Sequence, residues 1–236
     1  MFLSVSEWHR QFERQARWTR AWRLRLYRQV GLWQAGSVLD VGCGTGVITE
    51  EIAQHTKGTV TGLDVDPAMI EEAAKRVTGV DWKVGDAHDL PFGEGQFDLV
   101  ICNFLLLWAR EPDRVVREMA RVVKKDGMVL DTAEPDYGGR IDFPEDLPLG
   151  RLMSQALEHS GADPHIGRRL RKLFVDAGLN SEVGIIASLW DQEQMARERK
   201  EEWQFLERAL GNLVSAQNLQ RYQKLEKKAL QAGWRF

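Results

Sequence analysis

The sequence predicts an α/β protein of the Rossmann-like, doubly wound kind. This is a mostly parallel sheet with helices on both faces, preceded by an N-terminal helix and followed by a helical C-terminal region. Three observations carry that prediction. Short apolar runs alternate with amphipathic segments from about Ser37 to Glu134, the rhythm of right-handed strand–helix–strand crossovers. The runs "SVLDV" and "LVIC" are apolar almost throughout, as strands covered on both faces are. Three glycines, Gly42, Gly44 and Gly46, fall between the first such run and an amphipathic one, where ligand turns of open parallel sheets lie.

The elements follow in order. Residues 7–29 read as an arginine-dense amphipathic helix, with Phe12, Ala16, Thr19, Arg23 and Leu26 at helical spacing and Trp18 and Trp22 on a neighbouring stripe. Strands are expected at 37–41, 58–64, 80–86, 97–103 and 127–134. Helices are expected at 47–56, 66–77 and 111–124. The second of these has Asp66 as N-cap and Pro67 at its first position, a pairing that capping favours. Residues 135–148 carry Gly, Pro and Asp and read as a loop. Helices at 149–161 and 166–179 follow, then a sixth strand at 181–190. The remainder is charged and helical to about Ala232. No internal repeat or low-complexity tract is present.

The chain has 236 residues, 43% hydrophobic and 28% charged, with a net charge of −3. That balance gives no global attraction to nucleic acid or acidic lipid. The opening "MFLSVSEWHRQFERQ" turns charged too early for a signal peptide. No apolar run approaches the roughly 20 residues of a membrane span. Cys43 and Cys102, the two cysteines, sit in apolar contexts and read as reduced core thiols of a cytoplasmic protein.

The glycine turn is the chemical signal. Glycine admits positive φ and close ligand approach, and the amides opening the next helix favour negative charge. Asp64 ends the second strand, placed to accept hydrogen bonds from both hydroxyls of a ribose. Together they indicate an adenosine-type ligand. The third glycine comes one residue too early for the pyrophosphate fingerprint, and no Walker-type Gly-Lys-Ser/Thr follows. Asp40, two residues before the first glycine, would repel a phosphate and suit a ligand bearing an ammonium group.

These stretches resemble the class I S-adenosylmethionine-dependent methyltransferases. "VLDVGCGTG" is similar to their first motif, "GLDVDPAMIEEA" to the second, "VGDAHDLPF" to the third and "FDLVICNFLLLW" to the fourth. "EMARVVKKDGMVLDTAEPD" resembles the helix and strand that follow. The likeness spans about Ser37 to Asp136 and is nearest the small-molecule branch that includes ubiquinone and menaquinone biosynthesis enzymes. It implies S-adenosyl-L-methionine as cofactor, S-adenosyl-L-homocysteine as its product, and no metal. Gly42, Gly44, Thr45 and Gly46 would border its methionine part, with Asp40 toward the ammonium. Asp64 would hold the ribose, Val65 and Met69 flank the adenine, and Asp86 accept from the adenine amino group beside Ala87. Asn103 would sit near the sulfonium. Trp18 and Arg20 would serve a lid formed by the N-terminal helix, Arg20 pairing the methionine carboxylate.

Methyl transfer from a sulfonium needs chiefly an acceptor held in line. A base for an oxygen, nitrogen or carbon acceptor has four weak candidates: Glu134, Asp136, Tyr137 and His165. The expected organisation is one methyltransferase domain, with a lid at 1–34, a cofactor core at 35–136, and substrate-side helices and sheet edge at 137–236. A small-molecule acceptor is the first reading, in a monomer or homodimer. An RNA or protein methyltransferase using the Arg/Trp-rich first helix is the alternative, as is a non-catalytic cofactor-binding protein. One departure stands out. Relatives end their sheet with an antiparallel seventh strand. Here either a short strand lies at 233–236 or the edge is incomplete.

Overall fold

A computed structural model describes residues 3–140, 142, 144–186, 192–211 and 213–232. Five parallel strands form one sheet: β1 (Ser37–Val41), β2 (Thr59–Asp64), β3 (Val80–Val84), β4 (Phe97–Cys102) and β5 (Val123–Asp131), in the order β3-β2-β1-β4-β5. The chain winds outward from β1 to β3 and then returns to lay β4 on the other side of β1. Strand order therefore reverses between β1 and β4, and the loops leaving their carboxyl ends diverge into a crevice. Val41 pairs with Leu63 on one side and Cys102 on the other, so all three strands end at one level.

Helix α1 spans Val5–Gln29. It begins two residues before the sequence pattern suggests because Ser4 and Glu7 close a capping box, the Glu7 amide donating to Ser4 and the Ser4 amide to Glu7 Oε2 at 2.7 Å. Helices α2 (Val47–His55), α3 (Pro67–Arg76) and α4 (Pro112–Val122) connect the strands. Asp66 caps α3 as expected, accepting from the Ala68 amide at 2.9 Å. Tyr27 of α1, with Ile48 and Ile52 of α2, packs on Val38, Val60, Leu99, Ile101 and Leu130. The alternate residues Leu39, Val41, Leu63 and Val100, also buried, point to the opposite face by the two-residue strand period. Helix α4 lies on β4 and β5 with Val115, Val116, Met119 and Val122 wholly buried.

The fifth strand runs from Val123 to Asp131, not 127–134. Residues 132–134 leave the sheet to meet the loop after β4. The expected sixth strand does not form over residues 181–186. Val183 is 50% and Ile185 90% exposed, so this apolar run finds no sheet face to cover. Residues 187–190 and the expected terminal strand at 233–236 lie outside the described residues.

Contacts divide the chain into two compact units. The first is Met1–Glu134 with Arg168–Ile186, which adds α6 (Leu170–Asp176) packed on α4. The second is Pro135–Gly167 with Ala187–Phe236. It holds α5 (Leu149–His159), α7 (Gln192–Leu210) and α8 (Ala216–Gln231). Leu149, Leu152 and Met153 pack with Trp203, Leu206 and Leu219 in its own apolar core. The expected helices therefore form, though α5 and α6 are shorter than their sequence patterns. Among the described residues, no helix is long and apolar enough to cross a membrane.

Candidate functional site

The turn after β1 takes the conformation its glycines allow. Gly42, Gly44 and Gly46 all have positive φ, at 72°, 53° and 83°. The amides of Gly42 and Cys43 donate to the Leu63 carbonyl at 2.8 and 3.0 Å, which ties the turn to the end of β2. A Cβ at Gly42 would stand 2.6 Å from Leu105 Cδ1, so a side chain there would collide with the loop after β4.

A cleft of about 130 Å³ opens at these strand ends, bordered by Gly42, Asp64, Val65, Asp86, Leu105 and Trp108, with Ala87 and His88. Sequence reasoning placed Gly42, Asp64, Val65, Asp86 and Ala87 together, and the fold does so. Asp64 accepts from the Gly44 amide at 2.8 Å through Oδ2 and from the Asp66 amide at 3.0 Å through Oδ1. Each oxygen keeps a further acceptor site. Burial pushes this carboxyl above its ordinary value, against those amide bonds. Asp86 is held low, first by the His88 amide and then by the His88 imidazole, both on Oδ1. Val65 and Trp108 are 67% and 41% exposed. The mouth thus offers two uncovered apolar surfaces beside two acceptor-only carboxylates. That set fits an adenosine, with a flat ring for the apolar pair and hydroxyl and amino donors for the carboxylates.

Asp40 is buried beneath the turn, 1% exposed, accepting from Thr49 Oγ1 at 2.6 Å. Burial raises its carboxyl to about 7. Cys43 is buried too, its thiol pushed well up by burial, which suits a packing residue and not a nucleophile. Gly46 packs against Trp82 and Ala73. Met69, half-buried on α3, does not border the cleft. Asn103 Oδ1 accepts from Thr132 Oγ1 at 2.7 Å.

The first helix does reach the glycine turn, through other residues than expected. Phe12 lies against Gly44, and His9 Nδ1 is 2.8 Å from Thr45 Oγ1. Burial keeps His9 below its ordinary value. Trp8 stacks on Phe12 and meets Trp108 edge-on at 6.1 Å. Trp18 instead packs under the Arg14 guanidinium, and Arg20 faces Glu51 at 3.6 Å. Arg23, wholly buried, donates to both oxygens of Glu51 at 2.9 and 3.0 Å and to Thr19. This ion pair fastens α1 to α2. It puts the middle of the helix at α2, and its first turns at the glycines.

The four candidate bases divide. Glu134 is spent on the amides of Leu106 and Leu107, at 2.5 and 3.2 Å. Asp136, Tyr137 and His165 belong to the second unit. There Asp136 caps the short turn Tyr137–Gly139 by accepting from the Gly138 amide at 3.0 Å, and His165 Nδ1 stands 3.5 Å from it. Sequence reasoning missed Trp8, His9, Phe12, Leu105 and Trp108. The aromatic spacing Trp8–Phe12, one helical turn, was the available signal for the first helix.

A doubly wound sheet with a glycine turn after its first strand, and carboxylates after the next two, is the arrangement of an open α/β sheet built to take a ligand at its strand ends. The family described as "Methyltransferase domain" matches residues 39–130. A demethylmenaquinone methyltransferase of Lactobacillus johnsonii is 34% identical over 124 residues, 48% of this chain and 51% of that protein. The ubiquinone/menaquinone biosynthesis C-methyltransferase UbiE of Desulfotalea psychrophila is 38% identical over 119 residues, 48% of each chain. This chain thus spans about half the length of these curated relatives. The solved structure of a putative methyltransferase from Bacillus halodurans shares the fold, with a TM-score of 0.58 and 21% identity over 85% of this chain and 87% of that one. Residues 39–130 thus match the methyltransferase-domain family, and the curated relatives aligned with this chain are methyltransferases of that kind. S-adenosylmethionine is the cofactor of that family.

Proposed function

We propose that this protein transfers a methyl group from S-adenosylmethionine to a small-molecule acceptor. The observation that carries this reading is the cleft at the ends of β1, β2 and β3, where Gly42, Asp64, Val65, Asp86 and Ala87 converge within the matched family region. When bound, the cofactor supplies an activated methyl group on a sulfonium. Asp64 accepts from the ribose hydroxyls, Asp86 from the adenine amino group, and Val65 and Trp108 cover the ring. Asp40 supplies negative charge beneath the turn for the ammonium, while Gly44, Thr45 and Gly46 shape the turn around the methionine part and Asn103 stands at its sulfur side. His9 and Phe12 hold the lid, in place of Trp18 and Arg20.

The names of the relatives support an apolar aromatic acceptor of quinone type. The competing RNA reading rests on the arginines of α1, and its support weakens because Arg14 and Arg23 are buried and Arg20 faces Glu51. Calorimetry with S-adenosylhomocysteine tests the cofactor site: binding is expected in the full chain and a loss of at least about tenfold in Asp64→Ala, since a charged acceptor is removed. Equal affinity in both proteins sinks the reading. Incubation of a metabolite extract with labelled cofactor, followed by mass analysis, then identifies the acceptor.

A further inference from the structure

The loop between β4 and α4 is shaped against its own preference. Phe104 has φ of 50°, the single non-glycine residue at positive φ among the described residues. Bulky side chains disfavour that region, and such a conformation persists only where its surroundings over-determine it. Here the determinants come from the segment after β5. The Phe104 amide donates to the Ala133 carbonyl at 2.9 Å, and Thr132 Oγ1 donates to Asn103 Oδ1. The Glu134 carboxylate then receives the next amides, Leu106 through Oε1 and Leu107 through Oε2. Burial and the neighbouring Asp131 push the Glu134 carboxyl well above the ordinary range, so this group is kept buried at a cost.

What the strained loop presents is the cleft wall. Leu105 seats on Gly42, and Leu105 and Trp108 both border the cleft. Trp108 also meets Trp8 of the lid helix. We propose that Glu134 is a positioning residue for cofactor binding, acting through the Leu106 and Leu107 amides to hold Leu105 and Trp108 in place. It is not the general base. The assignment rests on the cleft being the cofactor site.

The test uses the whole 236-residue chain, as wild type, as Glu134→Gln, which keeps the shape and one acceptor oxygen, and as Glu134→Ala, which keeps neither. Wild-type binding of S-adenosylhomocysteine and its loss in Asp64→Ala check the cofactor reading separately. With that intact, Glu134→Ala is expected to weaken binding about tenfold and Glu134→Gln by less, the cost of orphaning buried amides. In selectively ¹⁵N-leucine-labelled protein, the Leu106 and Leu107 amide resonances move upfield in both variants, while that of Leu152 in the second unit stays. A merely structural role would lower the urea midpoint and move those two resonances, but leave the affinity unchanged. Binding within about twofold of wild type in Glu134→Ala overturns the proposal. If that variant does not fold, unchanged affinity in Glu134→Gln overturns it equally.

Discussion

Asp40 makes affinity for an ammonium-bearing ligand depend on pH. Its carboxyl is buried, bonded to Thr49, and raised by burial to about 7 from an ordinary 3.8. An ammonium placed above it selects the ionised form, so binding below that value must first release a proton. Each pH unit below 7 then costs about 1.4 kcal/mol, tenfold in affinity. Between about pH 6 and about pH 8 the ionised fraction climbs from about one tenth to about nine tenths, and the Kd of S-adenosylhomocysteine tightens about tenfold. Asp64, also raised, adds slope of the same sign, because ribose hydroxyls favour its carboxylate. Calorimetry in two buffers of unlike ionisation heat should find nearly one proton released per ligand at the acid end and almost none at the alkaline end. The stability of the ligand-free protein has the opposite trend. A raised folded value means the contribution of Asp40 is full below its ordinary value and is lost as pH rises through 7. Asp40→Asn removes the Asp40 share of both dependences. A flat Kd across the window, with no proton released, would refute the placement of the ammonium over Asp40.

Three further outcomes follow from named contacts. Glu51→Ala leaves the wholly buried Arg23 guanidinium without its carboxylate and should cost about 3–5 kcal/mol in urea unfolding. An unchanged midpoint would show that this pair does not secure α1. Gly42→Ala combines a φ of 72° with a 2.6 Å approach to Leu105. It should lower stability by about 1–3 kcal/mol and weaken S-adenosylhomocysteine binding, whereas Gly79→Ala, equally strained but with nothing within 4 Å, should affect stability alone. Cys43 and Cys102 are buried with thiols pushed well up. Ellman's reagent should therefore find no fast-reacting thiol in the native protein and two after unfolding, and a rapid native reaction contradicts the burial.

The inner strands β1 and β4 were readable from the sequence because they are covered on both faces and announce themselves as apolar runs, whereas the edge strands β3 and β5 are largely exposed. Strand β1 begins and ends where "SVLDV" does. The apolar run at 181–186 misleads for a related reason. Hydrophobicity marks a segment able to enter a sheet but does not supply an edge to join, and here Ile185 faces solvent. Within the candidate site, the glycines, Asp64 and Asp86 were legible because glycine spacing and strand-end carboxylates are local patterns. Leu105, Trp108 and Phe12 were not, since their positions depend on a strained loop and a helix fastened by Arg23 and Glu51. Arg23 itself was placed on the packed stripe by spacing alone. Its partner, 28 residues along the chain, has no local signature.

The chain passes between its two compact units after Glu134, after Gly167 and again after Ile186. Neither unit is a continuous stretch, since α6 and the residues to 186 return to the first. No single cut therefore releases the second unit whole, and a recombination point between 135 and 186 would leave both cores short of a piece. The unit built on α5, α7 and α8 has its own apolar interior, so it can diversify residue by residue while the cleft at the strand ends stays as it is. Change there would then come through drift within α5, α7 and α8, not through wholesale exchange of a module.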